Sequence, residues 1–194
     1  MNKARKHIII AGVPRAGKST ICSELARTKK YQHLAMDAVV IAFEGAYPEL
    51  GVFHTDCWDF VETSKTFIKF MKKISKTSNY DKFDYRLAFD LYHITPKDYY
   101  ENIDSSCCEI YFFGYPNISV EDKFKEIRNF DTEFDWTSEK DDAIVIDHIT
   151  KYIEISKWLK DECQKYNLPF IDISQNREEV IDNFLKEIIN KERL

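Results

Sequence analysis

The chain has 194 residues, of which 44% are hydrophobic and 31% are charged, a balance typical of one globular domain. Its net charge of −5 at pH 7 argues against a broad nucleic-acid-binding surface, so we expect no nucleic-acid partner. No stretch approaches the ~18 consecutive apolar residues of a membrane span, so the sequence also argues against a membrane protein.

The first predicted element is a strand over 7–11, which follows a short basic stretch in MNKARKHIIIAG. Its apolar run is too short for the core of a signal peptide and leads directly into a glycine loop. We therefore interpret it as a strand and not as a targeting segment. The five cysteines are odd in number and show no Cys-x-x-Cys spacing, which favours reduced thiols and a cytoplasmic location.

Strands and helices alternate along the rest of the chain. Thr95-Pro96 is typical of a helix start, with Thr95 as N-cap. Apolar runs predict further strands over 33–37, 85–94, 108–113 and 169–173. Apolar spacing and start signals predict the other helices over 17–29, 38–46, 56–76, 119–129, 138–166 and 177–191. This order predicts an α/β fold, a three-layer sandwich with a five-stranded parallel sheet and helices on both faces.

Residues 12–19 (GVPRAGKS), between the first strand and the first helix, match G-x-x-x-x-G-K-[ST] in full. The glycines let backbone N–H groups approach phosphate oxygens, and the helix N-terminus presents its free N–H groups to the same anion. Lys18 would bring positive charge to the β- and γ-phosphates, and Ser19 would offer a hydroxyl to Mg²⁺. The alternative is a chance match in a glycine turn. The predicted nucleotide contacts are Gly12, Val13, Pro14, Arg15, Ala16, Gly17, Lys18, Ser19 and Thr20.

With this loop near its amino end and five alternating units, the chain resembles the P-loop small-molecule kinases, which include nucleoside monophosphate, shikimate and gluconate kinases. The resemblance covers nearly the whole chain in organisation, although only the loop is a specific motif. It implies a P-loop NTPase fold like that of the nucleoside monophosphate kinases, in a single domain over 1–194. It also implies a mobile lid around 117–142, a substrate-side helical region around 38–80, and ATP and Mg²⁺ as cofactors.

Two aspartates follow from this resemblance as site residues. Asp37, at the end of the second predicted strand in LAMDAVV, resembles the Asp that binds and deprotonates an acceptor hydroxyl. Its alternative role is that of a helix N-cap. Asp90, in RLAFDLYHI, resembles the Asp that holds Mg²⁺ or its waters, together with Ser19. Its alternative is a strand-end carboxylate bonded to loop amides, and we interpret the nearby His93 as a structural polar residue and not as a base.

Three basic residues and two others complete the predicted site. Arg128 lies where related kinases place their lid and is our candidate for stabilising the transferred phosphoryl group; the alternative is a solvated basic helix face. Arg86 would bind an anionic acceptor or only cap its strand. Asn176 and Arg177 follow the fifth strand, where the resemblance implies contacts to adenine or ribose, with an N-cap at Asn176 as the alternative. Tyr92, one of several aromatic residues near the presumed acceptor side, is our candidate for lining the substrate pocket.

Residues 131–142 (DTEFDWTSEKDD) are half acidic, and we expect an exposed, mobile connection there. The sequence favours ATP- and Mg²⁺-dependent phosphoryl transfer to a hydroxyl of a small molecule. One alternative is a nucleoside monophosphate kinase, but the chain has only seven arginines and lacks the Asp-Gly-x-Pro-Arg signature of adenylate kinases. The other alternative is a nucleotide-dependent regulatory ATPase without a small acceptor. The partners expected are thus a nucleoside triphosphate and a small acceptor.

Overall fold

The structure is a computed structural model that describes residues 6–29, 31–54, 57–77, 86–133 and 135–191. Strands and helices alternate along these ranges. The strands are β1 (His7–Gly12), β2 (Tyr31–Ala35), β3 (Arg86–Leu91), β4 (Cys108–Gly114) and β5 (Phe170–Asp172). The helices are α1 (Lys18–Thr28), α2 (Met36–Ala46), α3 (Phe60–Thr77), α4 (Pro96–Asn102), α5 (Val120–Phe130), α6 (Asp142–Lys165) and α7 (Arg177–Lys191).

The five strands form one sheet in the order β2-β3-β1-β4-β5, and every neighbouring pair is parallel. This confirms the predicted α/β fold with a five-stranded parallel sheet and helices on both sides. Asp90 of β3 is in register with Ile10 of β1 and with Ala35 of β2. Because all strands run the same way, their carboxyl ends meet at one edge of the sheet, and α1 and α2 begin there.

The core lies on the two faces of the sheet. All residues of β1 and β3 are buried, as expected for parallel strands covered by helices on both sides. Ile9, Phe89 and Phe112 are fully buried. Helix α1 packs against β2 and β3, and α6 packs against β4 and β5.

Several predicted boundaries move. Strand β3 ends at Leu91 and not at 94, since the chain turns there and the Ile94 N–H donates to the Tyr92 carbonyl at 2.8 Å. Helix α6 begins at Asp142 and not at 138, because Ser138 lies in a turn closed by its bond to the Asp135 carbonyl. Helix α2 begins at 36 and α3 at 60. The predicted starts at 56 and 85 lie outside the described residues.

Within the described ranges, no helix combines the length and the apolar character that crossing a bilayer requires. The five cysteines all lie in these ranges, and they form no disulfide.

The turn from β1 into the following loop requires glycine. Gly12 has φ +124°, and a Cβ added there would lie 1.9 Å from the Phe113 carbonyl oxygen of the neighbouring strand. The adjacent Val13 N–H donates to that same oxygen at 3.2 Å, so the two backbones are in direct contact. Both the backbone conformation and the space therefore exclude a side chain at this position.

We expect Gly12→Ala to lower the free energy of unfolding by more than about 3 kcal/mol, because the new methyl group must displace β4. Chemical denaturation followed by circular dichroism measures this change. Gly45→Ala is the matched control, since Gly45 lies in α2 with nothing within 4 Å of its added Cβ. That variant should be neutral or gain about 0.5–1 kcal/mol from helix propensity. Equal stability of the two variants would contradict the steric argument.

Candidate active site

A cleft of about 920 Å³ lies at the carboxyl edge of the sheet. The loop between β1 and α1 forms its floor. The start of α2, the end of β3, α5, residues 135–136, the start of α7 and Tyr152 of α6 form its walls. The motif loop and the strand-end aspartates thus face the same space, as the parallel sheet predicts.

The loop presents backbone N–H groups to this cleft because its carbonyl groups are bound elsewhere. Gly17 has the left-handed conformation (φ +81°) and leads into α1. Behind the loop, the buried Tyr115 hydroxyl donates to the Pro14 carbonyl at 2.9 Å, and Lys123 Nζ donates to the Arg15 carbonyl at 3.2 Å. The two carbonyl dipoles therefore point away from the cleft, which leaves the loop and the start of α1 as an anion site.

Lys18 is the cation of this anion site. Its side chain is buried, with 7% exposed, and Nζ donates to the Val13 carbonyl at 3.1 Å. A single bond to a neutral carbonyl leaves two of its three N–H donors for a ligand in the cleft. The arrangement suits phosphate oxygens that lie along the loop.

Ser19, which follows Lys18 in the first turn of α1, lies next to Asp90, and its hydroxyl donates to the Asp90 carboxylate. Burial raises the pKa of Asp90, but the nearby His33 ring, the charge of Lys18 and the Ser19 hydroxyl outweigh it and hold that pKa below its ordinary value. The carboxylate is therefore charged at neutral pH. A hydroxyl and a carboxylate oxygen are ligands that suit Mg²⁺, which takes one or two protein ligands beside phosphates and water.

No cluster of three or more His, Cys, Asp or Glu side chains that could bind a metal occurs among the described residues. A metal ion bound by protein ligands alone would need such a cluster.

Asp37 lies across the cleft from the loop, in the first turn of α2, and its side chain is 53% exposed. It is not the N-cap of α2, because Ala35 takes that position without any side-chain cap bond. Withdrawal from water in the cleft raises the pKa of Asp37, and the charge of Asp90 adds to this rise, while Lys18 opposes it. His93 Nδ1 lies 3.6 Å from Asp37 Oδ1. Asp37 is thus an accessible carboxyl group with raised proton affinity.

Arg15 is the arginine that the structure places at the loop. Its guanidinium forms ion pairs with Asp131, at 2.9 Å, and with Asp135. The acidic segment that we expected to be an exposed connection therefore folds back over the loop. Most of its described residues are exposed, as expected, but Asp131 and Asp135 are half-buried because Arg15 lies within reach of their carboxylates.

The structure does not bring Arg128 to the cleft. Its guanidinium donates to the Thr137 carbonyl at 2.7 Å and the Lys140 carbonyl at 3.0 Å, and it pairs with Asp131 and Asp142. These bonds tie the end of α5 to the segment before α6. Neither the expected phosphoryl contact nor the alternative of a solvated helix face describes this position.

We expect Arg128→Ala to lower Tm by several degrees and to leave phosphoryl transfer nearly unchanged at temperatures where the protein is folded, because its partners are structural. A double-mutant cycle with Asp142→Ala gives the control, since the two changes break one ion pair and their Tm effects should not add. A large loss of turnover in Arg128→Ala with an unchanged Tm would contradict this structural role.

Of the four remaining predicted site residues, two line the cleft and two do not. Arg86 is buried at the first position of β3, at the amino edge of the sheet, where its guanidinium lies 4.2 Å from the centre of the Tyr31 ring. That is the edge opposite the cleft. Asn176 is exposed, does not line the cleft and has φ +49°, and its carbonyl accepts from the Val180 N–H. Tyr92 and Arg177 both line the cleft.

Arg177 packs against the loop from α7. Its guanidinium lies beside Gly17, where an added Cβ would be 3.1 Å from Nη2, and it faces the Phe130 ring at 5.7 Å. Ile181, one turn further along α7, also packs against Gly17. This wall of the cleft therefore offers an arginine and an apolar surface next to the phosphate site.

Sequence reasoning missed several lining residues: Ile41, His54, Glu126, Phe130, Asp135, Trp136 and Tyr152. A lone tryptophan within an acidic run was the one usable signal, since a large apolar side chain there needs a surface to pack on. The other residues come from separate elements, and no local spacing connects them.

No family model matches the chain, and no curated protein matches it. Several solved structures match the chain. A shikimate kinase from Bacteroides thetaiotaomicron is 14% identical, with 94% of this chain and 98% of that chain covered and a TM-score of 0.50. A gluconokinase from Sinorhizobium meliloti 1021 is 13% identical, with 95% and 92% covered and a TM-score of 0.55. The chain has the P-loop kinase fold.

The match extends over the whole of this P-loop kinase fold. A shikimate kinase from Acinetobacter baumannii, in complex with shikimate, is 14% identical over 97% of this chain and 96% of that chain, with a TM-score of 0.50. Identities this low carry the architecture alone, and that architecture is the one the resemblance implied. The roles of individual side chains rest on the geometry described above.

Proposed function

We propose that the chain is an ATP- and Mg²⁺-dependent kinase that transfers the γ-phosphoryl group to a hydroxyl group of a small molecule. The observation that carries this proposal is the single cleft that joins the phosphate loop to Asp37 on the facing wall. The kinase-fold neighbours support the same class of reaction.

In this proposal the loop N–H groups and Lys18 bind the triphosphate, with the base against Phe130 and Arg177. Ser19 and Asp90 would hold Mg²⁺, which when bound neutralises charge on the phosphate oxygens. Asp37 accepts a hydrogen bond from the acceptor hydroxyl and takes its proton as the oxygen attacks the γ-phosphorus. The bond from phosphorus to the bridging oxygen of ADP breaks in the same step.

Arg15 takes the role that the sequence suggested for Arg128. It extends from the loop that would bind the phosphates, and its paired carboxylates Asp131 and Asp135 belong to the segment between α5 and α6. We propose that this segment, within 117–142 of a single domain, is the lid. Closure over Arg15 would exclude water, so that the acceptor and not water receives the phosphoryl group.

We expect Arg15→Ala to reduce transfer by about tenfold to hundredfold, because developing charge on the equatorial oxygens loses a guanidinium partner. Arg15→Lys keeps the positive charge but loses the planar guanidinium group that can donate to two oxygens at once, so it should recover part of this loss. Steady-state ADP release measures both variants. Wild-type turnover by Arg15→Ala would remove this residue from the mechanism.

A nucleoside monophosphate acceptor is disfavoured by the same geometry. Such an acceptor carries its own phosphate group, and several arginine side chains would be needed to bind it. Among the described arginines, those that line the cleft are Arg15 and Arg177, and both lie on the nucleotide side. The facing wall offers a carboxylate instead, which suits a hydroxyl.

The test is ADP release with and without a pool of small metabolites. The proposed kinase should show slow basal turnover that rises when the pool contains the acceptor. Turnover that responds only to an added protein or nucleic acid would support the regulatory ATPase and contradict the proposal. Absence of any binding of MgATP by the folded protein would contradict both.

A further inference from the structure

The side of the cleft that faces the phosphate loop has a distinct chemistry. We call it the acceptor half and define it by Asp37, Ile41, His54, Tyr92, Trp136 and Tyr152. It joins residues of α2, the end of β3, the acidic segment and α6. What it binds follows from its charges and its shape, on the assumption that the proposed kinase function is correct.

Among the described residues, no arginine or lysine lies in the acceptor half. Lys18 is the one described lysine that lines the cleft, and it belongs to the phosphate loop. Arg27 is paired with Glu24 on α1, Arg86 lies at the opposite edge of the sheet, and Arg128 is bound to 137–142. An acidic acceptor would therefore find no guanidinium or ammonium partner on this side.

Two carboxylates lie close to the acceptor half, and the positive charge of Lys18, which would be bound to phosphate in the proposed complex, opposes them. Asp37 extends into the cleft from one wall, and Asp90 lies at its base near Lys18 and His33. A carboxylate on the acceptor would be held close to at least one of these groups, in a site partly withdrawn from water. Like charges at such separations repel, and the repulsion grows as the local dielectric falls.

The rest of the acceptor half is aromatic and rigid. The Trp136 ring, which is 40% exposed, lies 5.2 Å from the His148 ring, and that ring lies 6.0 Å from Tyr152. Tyr92 is fixed behind them, since it stacks on Phe60 at 4.8 Å and its hydroxyl donates to the Cys57 carbonyl at 2.5 Å. The partly exposed Trp136 ring, held by these inclined rings behind it, offers an aromatic contact at low entropic cost, which suits the apolar face of a ring.

Ile41 and His54 complete the surroundings of Asp37. Ile41 is 53% exposed on α2, one turn after Asp37, and adds a further apolar contact. The His54 ring lies 5.8 Å from the His93 ring, on the other side of the carboxylate. The acceptor half therefore places one proton-accepting group within a surface that is otherwise uncharged or weakly polar.

From these observations we infer that the acceptor is an uncharged, ring-bearing polyhydroxyl compound of the pyranose or nucleoside type, and not a sugar acid or other carboxylate. Its ring packs on the aromatic surface, and one of its hydroxyl groups reaches Asp37. The acceptor inferred for this chain differs in charge from shikimate, the ligand of one structural neighbour, because shikimate carries a carboxylate.

The test is a set of matched pairs in which one member carries a carboxylate and the other does not: D-glucose and D-glucuronate, D-galactose and D-galacturonate, methyl shikimate and shikimate, and uridine and orotidine. Each compound is titrated by calorimetry into the full chain saturated with Mg²⁺ and a non-hydrolysable ATP analogue. We expect binding by uncharged members, with a preference of roughly 10- to 100-fold over the acidic partner. Equal or tighter binding by the acids would overturn the inference, and so would failure of every uncharged member to bind.

Binding of the ATP analogue is measured first, in a titration without acceptor. A protein that does not bind the analogue contradicts the proposed function, whereas the order of affinities within the pairs tests the acceptor inference.

A variant tests the charge argument independently. Ile41→Lys, titrated after saturation with the analogue, should reduce the preference for the uncharged member at least about tenfold. Ile41→Gln is the control of similar size and no charge, and it should keep the wild-type preference. Equal preferences in the two variants would show that charge in the acceptor half does not select the ligand.

Discussion

Lys18→Ala is expected to lower MgATP affinity by more than about 100-fold and turnover by more than about 1,000-fold, because the triphosphate loses its one lysine partner in a site partly withdrawn from water. The side chain is 7% exposed and its ammonium group has a single protein acceptor, the Val13 carbonyl. Calorimetry with Mg²⁺ and a non-hydrolysable analogue measures the affinity, and ADP release measures the turnover.

Two controls separate lost charge from lost structure. Lys18→Met keeps most of the aliphatic stem and removes the charge, so it should behave like Lys18→Ala while its circular dichroism spectrum and Tm stay close to wild type. Lys97→Ala removes a lysine whose side chain is 57% exposed on α4, and it should bind MgATP normally. Wild-type affinity in a folded Lys18→Met protein would mean that the loop does not bind a triphosphate through this residue.

The loop could be predicted because all of its determinants are local. Gly12, Gly17, Lys18 and Ser19 stand in one eight-residue segment between an apolar run and a helix, and the structure shows that loop and that context. Helix α7 was likewise predicted with its observed bounds, 177–191, since a strand and a turn precede it directly.

The partners of the loop could not be predicted, because they are distant in sequence. Arg15 pairs with carboxylates 116 and 120 residues further along the chain. Composition described residues 131–142 correctly as acidic, but it did not show that Arg15 and Arg128 pair with three of these six acidic side chains. Such pairing is a property of the folded chain and has no local signal.

One error was avoidable from the sequence alone. Arg86 was predicted near the start of its strand, and the starts of parallel strands lie at the edge opposite the ligand crevice. Asp90, four residues later in the same strand, reaches the crevice. The position of a residue within a parallel strand therefore carries functional information that residue type does not.

Asp37→Asn is expected to reduce phosphoryl transfer to the acceptor by about 10²- to 10⁴-fold while MgATP affinity stays within about twofold of wild type, because the amide accepts no proton from the hydroxyl. The pH profile gives a second signature. The pKa of Asp37 is raised, so the carboxylate that acts as base is present above this pKa and is lost as pH falls through it. The acidic limb of kcat/KM should therefore lie above the ordinary range of an aspartate.

The Asn variant should lack that limb, because it has no carboxyl group to titrate at this position. Asp147→Asn is the matched control, since Asp147 is 58% exposed on α6, where it pairs with Lys151, and its loss should leave rate and pH profile unchanged. The measurement uses the acceptor found by the calorimetric pairs, with phosphorylated product followed directly. Equal transfer by Asp37→Asn, or an acidic limb that persists in it, would assign the base to another group and leave Asp37 at most a binding contact for the hydroxyl.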